Sequence, residues 1–171
     1  MNAFAQKNFL AEFNAAPFAR AEEMLRPCAD LPRWTSEISF ARPFGTGAEL
    51  LSFAELAAPD WTAAEVDKAL SSHPRIGDRP SGNGQEVQMS RSEQSGLQLP
   101  AGIRAQLEEG NRRYEERFGR VFLVRAAGRS AGEILAVLNR RLENTAEEEL
   151  AATAAALREI AILRLEGLLG R

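Results

Sequence analysis

The sequence is poor in the residues that disulfides and metal sites require. Its 171 residues include one cysteine, Cys28, and one histidine, His73. A single cysteine excludes an intramolecular disulfide. A zinc site would have to combine these two side chains with scattered carboxylates, and the sequence has no HxxxH or CxxC spacing that indicates one. We therefore expect no metal ion, and chemistry carried by ordinary side chains.

Long apolar runs and a strong charge excess are also missing. No segment approaches the roughly 20 apolar residues of a membrane-spanning helix, so we expect no membrane partner. Residues 1–13 contain no basic stretch followed by an apolar one, and the final Leu169-Gly170-Arg171 is not a peroxisomal signal. These features favour a cytoplasmic protein. A net charge of -3 and a pI of about 5.4 argue against a nucleic-acid partner.

Length and composition are those of one ordinary globular domain. A chain of 171 residues fits the size of a single domain and can bury roughly 70% of the surface of its unfolded form. Hydrophobic residues make up 44% and charged residues 26%, close to the averages for globular proteins. No stretch has the composition of a linker. We therefore predict one domain over residues 1–171.

Helix-start signals recur along the chain. A Ser or Thr followed three residues later by Glu can form a capping box, in which both side chains accept hydrogen bonds from backbone N–H groups of the first turn. Five pairs have this spacing: Ser52 and Glu55, Thr62 and Glu65, Ser90 and Glu93, Ser130 and Glu133, and Thr145 and Glu148. Each precedes apolar residues at helical spacing. Together they predict an all-α, multi-helix bundle.

Two segments between the helices are predicted to be irregular. Residues 121–124, Val-Phe-Leu-Val, form an apolar run too short to define a strand, and we interpret it as a buried, extended connection. Residues 77–85 are rich in Gly, Pro and Asn, which predicts a mobile loop. A further helix is expected to begin at Pro100 and to end near Gly119.

His73 is placed at the end of the helix that begins near Thr62. Pro74 cannot continue that helix comfortably and restricts the residue before it, so the histidine is fixed beside the glycine-rich loop. There the imidazole could face a cleft and move protons near neutral pH. It could equally favour the helix dipole or pack on the core.

Ser90, Glu93 and Gln94 fall within one predicted helical turn. Their spacing puts Ser90 and Glu93 on one face, with Gln94 one step round. A capping box explains Ser90 and Glu93 fully, but it says nothing about Gln94. A polar face that lines a site is the alternative.

Asn111, Tyr114 and Phe118 recur at helical spacing, which favours a core stripe. The extended segment that follows them leaves backbone N–H groups without helical partners. Those groups must be satisfied, and the carbonyl oxygens of a ligand are one option. This segment is therefore a candidate for ligand binding through its backbone.

The last predicted helix begins at Thr145. Arg164 lies on its apolar stripe, where burial is costly unless an anion or several acceptors meet the guanidinium. An intramolecular salt bridge, or a side chain that extends to solvent, would also explain it. By contrast, we expect the acidic run Glu147-Glu148-Glu149 to be a solvated first turn. Arg140 and Arg141 are expected on an exposed helix face.

Four motifs keep both order and spacing along nearly the whole chain. They are His73-Pro74-Arg75-Ile76-Gly77, then Ser90-x-x-Glu93-Gln94-x-Gly96, then Asn111-x-x-Tyr114 with Phe118-Gly119-x-x-Phe122, and Leu163-Arg164-Leu165. In this combination the chain resembles the 2-oxo-4-hydroxy-4-carboxy-5-ureidoimidazoline (OHCU) decarboxylase family. The resemblance implies an all-helical carboxy-lyase that needs no cofactor and commonly forms a homodimer.

The resemblance also implies a reaction and a set of roles. The reaction is the last step of urate oxidation in purine catabolism, in which a small anionic ureidoimidazoline loses CO₂ to give (S)-allantoin. His73 would be the central catalytic residue and Glu93 its acidic partner, while Arg164 would meet a negatively charged group. The residues implied to bind substrate, by side chain or by backbone, are Pro74, Ser90, Gln94, Phe122, Leu123, Val124, Arg125, Ala126 and Arg164.

Two other functions are compatible with the residues. A decarboxylase or lyase for a related small ureido acid could differ by one pocket side chain. A non-catalytic helical module would instead bind a partner through the stripe of the last helix. The module hypothesis predicts that His73, Glu93 and Arg164 do not converge.

Overall fold

The computed structural model describes residues 3–78 and 81–170, with side chains from Phe9 onward. Within these ranges the chain forms nine α-helices and no strand, which confirms the all-α prediction. None of the described helices combines the length and apolarity needed to cross a bilayer. The helices are α1 Ala3–Ala15, α2 Phe18–Leu25, α3 Pro32–Phe40, α4 Gly47–Leu56, α5 Ala63–Leu70, α6 Gln85–Gln94, α7 Ala101–Phe118, α8 Ala131–Arg141 and α9 Ala146–Leu168.

Three of the predicted capping boxes form at helix starts. The hydroxyls of Thr62, Ser130 and Thr145 each accept from the backbone N–H three residues on. The glutamates at those positions accept in return from the backbone N–H of the capping residue, at 2.7–2.8 Å. These reciprocal bonds satisfy N–H groups that would lack partners inside the helix, and they fix the starts of α5, α8 and α9.

The predicted box of Ser52 and Glu55 is wrong. Both residues lie inside α4, which begins at Gly47. Thr46 is the true cap, and it forms a capping box with Glu49. The error has a simple cause, because a spacing of three residues also arises between any two neighbours on a helix surface.

The chain divides into two compact units, and the boundary between them falls within α5 and α9. The first unit comprises Met1–Glu65 and Arg158–Arg171. Trp34 is fully buried there, and its indole N–H donates to the Ala54 carbonyl at 2.9 Å. The bond lets the largest side chain of this core contribute apolar area without an unsatisfied donor. The single domain over residues 1–171 stays a prediction.

The second unit comprises Val66–Leu157 and is built around the contact between α7 and α8. Gly110 permits this contact, because a β-carbon there would lie 2.5 Å from Cδ2 of fully buried Leu138. The buried side chains of its main cluster are Ile76, Leu107, Tyr114, Phe122, Val124, Ala126, Ile134, Leu138 and Leu142. This cluster therefore joins the chain after α5, the two packed helices and the segment between them in one core.

The predicted extended connection is confirmed. Gly119 ends α7 in the left-handed conformation, at φ +68°, and its N–H donates to the Glu115 carbonyl at 2.8 Å. Residues 121–126 then run without regular structure, and most of their side chains are buried. In the loop predicted over residues 77–85, Arg79 and Pro80 lie outside the described residues.

Candidate active site

His73 lies three residues beyond α5, in a turn that the sequence pattern had merged with the helix. Its backbone N–H donates to the Leu70 carbonyl at 2.9 Å, which tightens the chain after the last helical residue. Pro74 follows directly, so the helix cannot resume. The His73 side chain is 9% exposed, so it sits in the protein rather than in bulk water.

Two amide side chains hold the loop that follows His73, residues 74–78, which we call the His73 loop. The Gln94 side-chain carbonyl accepts from the Gly77 backbone N–H at 3.1 Å. The Asn111 amide donates to the Ile76 carbonyl at 3.1 Å, and Asn111 is itself buried. Gly77 adopts φ +92°, a conformation that side-chain-bearing residues rarely adopt. The Ile76 carbonyl and the Gly77 N–H belong to one peptide group, so α6 and α7 hold that peptide of the loop from its two sides.

Ser90 and Glu93 do not form the capping box that their spacing allows. Both lie inside α6, whose N-cap is Gly84, so that prediction is wrong. Ser90 is 3% exposed, and Glu93 and Gln94 are half-buried. A capping box therefore does not account for this polar face, and its role in lining a site stays a prediction. The Gly77–Gln94 bond brings this face to the His73 loop.

The backbone candidates lie in the extended segment of the second unit. Phe122, Leu123, Val124 and Ala126 are buried, and Arg125 is half-buried. The Phe122 ring packs edge-on against Tyr114, with ring centroids 5.2 Å apart. Because Phe122 shares its core cluster with Ile76, this segment and the His73 loop are supported by the same packed side chains.

A buried polar network lies behind this segment, and sequence analysis missed it. Glu149 is not in a solvated turn and Arg141 is not on an exposed face: they are 0% and 6% exposed, respectively, and form an ion pair. The Tyr114 hydroxyl donates to the same carboxylate. Burial, together with the bond to Glu149, raises the pKa of Tyr114 to about 12. The phenol is therefore neutral at physiological pH.

A signal for this pair was present in the sequence. Ile134, Leu138 and Arg141 follow at spacings of four and three residues, which is one face of a helix. Glu149 likewise shares a face with Leu157, eight residues on. An acid and a base that each extend an apolar stripe indicate a buried pair. The same argument singled out Arg164.

Arg164 belongs to the first unit and is buried, at 6% exposure. One guanidinium nitrogen donates to the Pro27 carbonyl at 3.1 Å. Its burial argues against the alternative in which the side chain extends to solvent, and the binding role of Arg164 stays a prediction.

Two open hollows in the second unit flank the His73 loop. One, of about 510 Å³, includes Arg75, Asn111 and Glu115 in its lining. The other, of about 500 Å³, includes Gly77, Gln94, Arg91 and Arg104. Among residues 3–78 and 81–170, no three His, Cys, Asp or Glu side chains are arranged to hold a metal ion.

Comparisons with known proteins bear on the family of this chain. A family model described as OHCU decarboxylase matches residues 14–166. An Arabidopsis thaliana protein named "Uric acid degradation bifunctional protein TTL" is 29% identical over 153 residues, which are 84% of this chain and 46% of that protein. The chain thus spans about half the length of this relative. A Haloferax volcanii protein named "2-oxo-4-hydroxy-4-carboxy-5-ureidoimidazoline decarboxylase" is 29% identical over 136 residues, 77% of this chain and 79% of that protein.

Two solved structures share the fold. A crystal structure of OHCU decarboxylase in the presence of (S)-allantoin superposes with a TM-score of 0.70 at 25% identity, over 88% of this chain and 99% of that one. A crystal structure of (S)-allantoin synthase superposes with a TM-score of 0.66 at 15% identity, over 95% of this chain and 53% of that one. At this identity the similarity supports the fold alone. The family match covers far more than half of the sequence, and the chain belongs to the OHCU decarboxylase family of carboxy-lyases.

Proposed function

We propose that this chain decarboxylates 2-oxo-4-hydroxy-4-carboxy-5-ureidoimidazoline to (S)-allantoin in urate degradation, with His73 and Glu93 as its catalytic residues. One structural observation carries the assignment of the site. The Gly77–Gln94 hydrogen bond joins the loop after His73 to the helix face that bears Ser90 and Glu93. The name of the Haloferax volcanii relative supports the substrate, and the similar crystal structure obtained in the presence of (S)-allantoin supports the product.

The chemistry needs orientation and charge stabilisation more than it needs a cofactor. The substrate carries a carboxylate and a hydroxyl on one ring carbon, beside a C=N bond and carbonyl groups. When the C–CO₂ bond breaks, its electron pair moves into the conjugated ring. A proton delivered to one face of the ring then gives a single enantiomer. The protein must hold the carboxylate, stabilise the charge that develops on the ring oxygens and supply that proton.

His73 and Glu93 suit the proton-handling part of this scheme. Imidazole is the side chain whose ordinary pKa lies closest to neutral, so it can both donate and accept a proton there. In our proposal it hydrogen-bonds the substrate hydroxyl or relays a proton, while Glu93 orients the imidazole or binds the ureido group. Burial of His73 favours this role, because exclusion of water strengthens each polar contact that it makes.

The remaining residues would bind the substrate. Gln94 accepts from Gly77 through its carbonyl, which leaves its amide NH₂ to donate to the ureido arm. Ser90 would supply a second neutral hydrogen bond, and Pro74 would line the pocket. Backbone N–H groups of residues 122–126 would meet the ring carbonyls. Arg164 would bind a carboxylate through its planar fork.

A coupled assay tests the proposal. Urate is passed through urate oxidase and hydroxyisourate hydrolase to generate the labile substrate in place, and circular dichroism follows the formation of (S)-allantoin. We expect fast, stereospecific formation with the protein and a fall of at least ~10²-fold in turnover with His73→Ala. Racemic allantoin at the spontaneous rate, from folded protein, would contradict the proposed substrate and favour a related ureido acid. Near-normal turnover by folded His73→Ala would contradict the role of His73.

We also propose that the protein is a homodimer, as the resemblance implies, and that it acts in the cytoplasm. Size-exclusion chromatography with light scattering tests the first point, since a monomer mass across the working concentration range would contradict it. Fractionation of cells with a specific antibody tests the second, and recovery in a membrane or organelle fraction would contradict it. Neither outcome bears on the catalytic proposal unless the dimer proves necessary for activity.

A further inference from the structure

The ion pair of Arg141 and Glu149 has a geometry that fixes the guanidinium completely. Arg141 Nε and Nη2 both donate to Glu149 Oε1, at 2.8 and 2.5 Å. Both side chains are buried. Arg141 ends α8 and Glu149 lies in the first turns of α9, so the pair connects two helices of the second unit across the short link between them.

Neighbouring side chains satisfy the rest of the pair. Glu149 Oε2 accepts from the Asn144 amide at 2.9 Å, and Oε1 also accepts from the Tyr114 hydroxyl. Arg141 Nη2 donates in addition to the Thr153 hydroxyl at 3.1 Å. A buried ion pair is weak evidence for stability, since an apolar replacement of similar volume is often neutral or stabilising. So complete a network is better explained by what it holds in place.

The network of Arg141 and Glu149 holds the extended segment in place. The remaining edge of the guanidinium, Nη1, donates to the Leu123 carbonyl at 2.7 Å. The guanidinium carbon also lies 4.9 Å from the centre of the Phe122 ring. Arg141 therefore contacts both the backbone and a side-chain ring of the extended segment. The backbone N–H groups of this segment are those that we propose to bind the substrate. A lysine could not do this, because one ammonium group cannot span Glu149 and Leu123 as a rigid fork does.

Peptide geometry passes this constraint to the next residue. The carbonyl of Leu123 and the N–H of Val124 belong to one planar peptide unit, and in a trans peptide they point in opposite directions. A carbonyl held toward Arg141 thus directs the Val124 N–H away from the network. Within the described part of the chain, that N–H donates to no backbone carbonyl, although Val124 is only 8% exposed. A buried donor of this kind needs an acceptor.

We propose that Arg141, held by Glu149, is a positioning residue that orients the Leu123–Val124 peptide so that the Val124 N–H donates to a ring carbonyl of the substrate. This inference rests on the proposed function. The donor would be aligned before substrate arrives, as an oxyanion hole requires, because no reorganisation is then needed as charge develops on the oxygen. Arg141 itself touches no reacting atom.

The Arg141→Lys variant separates positioning from a merely structural role. It keeps the positive charge beside Glu149 and loses the hydrogen bond to the Leu123 carbonyl. In the coupled assay we expect kcat per folded molecule to fall by at least ~10-fold, with KM changed by less than about threefold, because the lost contact acts mainly in the transition state. Arg140→Lys is the matched control, since Arg140 is the exposed neighbour on the same helix, and its kcat should be unchanged. A lower melting temperature with unchanged kcat would overturn the proposal.

A second measurement uses the unaltered chain and covers the case in which Arg141→Lys fails to fold. The sequence has five valines, so ¹⁵N-valine labelling gives five amide signals, and Val124→Ile identifies the one of interest. On titration with (S)-allantoin, the Val124 amide should move downfield more than the other four. A Val124 signal that does not respond while allantoin binds would overturn the proposal.

If the unaltered protein is active but Arg141→Lys keeps full kcat, this inference alone fails. If the unaltered protein is inactive, the proposed function fails and this inference with it.

Discussion

The Tyr114 hydroxyl donates to Glu149 Oε1 inside the second unit, so the C-terminal part of α7 is hydrogen-bonded to the start of α9. Tyr114 is fully buried, and burial with this bond raises its pKa to about 12, from an ordinary value of 10.0. Ionisation would place a phenolate beside a carboxylate in a medium of low polarity, which is unfavourable. The bond therefore depends on a neutral phenol.

This relationship predicts an unusually late tyrosine titration. Tyr114 is the only tyrosine, so the ultraviolet absorbance of tyrosinate reports on it alone. Its folded pKa is raised, so its contribution to stability is complete below pH 10 and is lost as the pH rises to about 12. The free-energy advantage of the unaltered protein over Tyr114→Phe should shrink over that window, by at most roughly 3 kcal/mol. A midpoint near pH 10 in folded protein would contradict the burial of this hydroxyl.

Several elements of this fold were predictable because their causes are local. Thr62, Ser130 and Thr145 cap helices through bonds within four residues, and Gly119 ends α7 through its own backbone conformation. Such signals are visible in a short window of sequence. The box at Ser52 was wrong for the same reason, since a short window cannot tell the start of a helix from its interior.

The network of Arg141 and Glu149 was missed because its cause is not local. Whether an acidic first turn is solvated depends on which helix packs over it, and Tyr114 is 35 residues away in sequence. The hydrogen bond from Arg141 to the Leu123 carbonyl likewise joins residues that are 18 positions apart in sequence. Periodicity could have marked each residue as inward-facing. It could not have said that the two meet.

A second prediction concerns acid stability in the first unit. The Glu65 carboxylate accepts from Arg33 Nε at 2.9 Å and from the Thr62 backbone at 2.8 Å. The Arg33 bond, with the cap, lowers the pKa of Glu65 to about 2. The carboxylate thus stabilises the fold above pH 4.5, and this contribution is lost as the pH falls toward 2.

Glu65→Gln tests that contribution. At pH 7 we expect a loss of about 1 kcal/mol in unfolding free energy, since the pair is partly exposed and screened by solvent. Chemical denaturation at a series of pH values should show the difference disappearing between pH 4.5 and about 2. Glu147→Gln, at an exposed position, is the control. A loss that persists unchanged at the acid end would show that the carboxylate's charge is not its cause.

Gly110→Ala should be destabilising although alanine is the better helix former. Its β-carbon would meet Leu138 Cδ2 at 2.5 Å, and that leucine is fully buried and cannot move aside freely. Overpacking of this kind costs about 1–3 kcal/mol. Gly102→Ala on the same helix is the control, because its β-carbon has no described neighbour within 4 Å. Thermal unfolding should show a lower midpoint for Gly110→Ala only, and equal midpoints would mean that the helices can separate without cost.

The last prediction separates two arginines of α9. Arg158 donates to the carbonyls of Ala57 and Ala58 and lies 4.3 Å from the centre of the Trp61 ring, so its surroundings account for it. Arg164 has a carbonyl bond to Pro27 and, in our proposal, a further role with the substrate carboxylate. The two side chains should therefore respond differently to removal.

Arg158→Ala should lower the melting temperature and leave KM unchanged. Arg164→Ala should raise KM by ~10- to 100-fold, because a hydrogen bond to a charged group contributes roughly 1.5–3 kcal/mol to binding. Arg164→Lys keeps the charge but loses the planar fork, so its KM should lie between those of the unaltered protein and of Arg164→Ala. Steady-state kinetics in the coupled assay, normalised to folded protein, measure all three. If Arg164→Ala matches Arg158→Ala in both melting temperature and KM, then Arg164 has no role in substrate binding, and its burial is explained by the Pro27 carbonyl and the packing of α9.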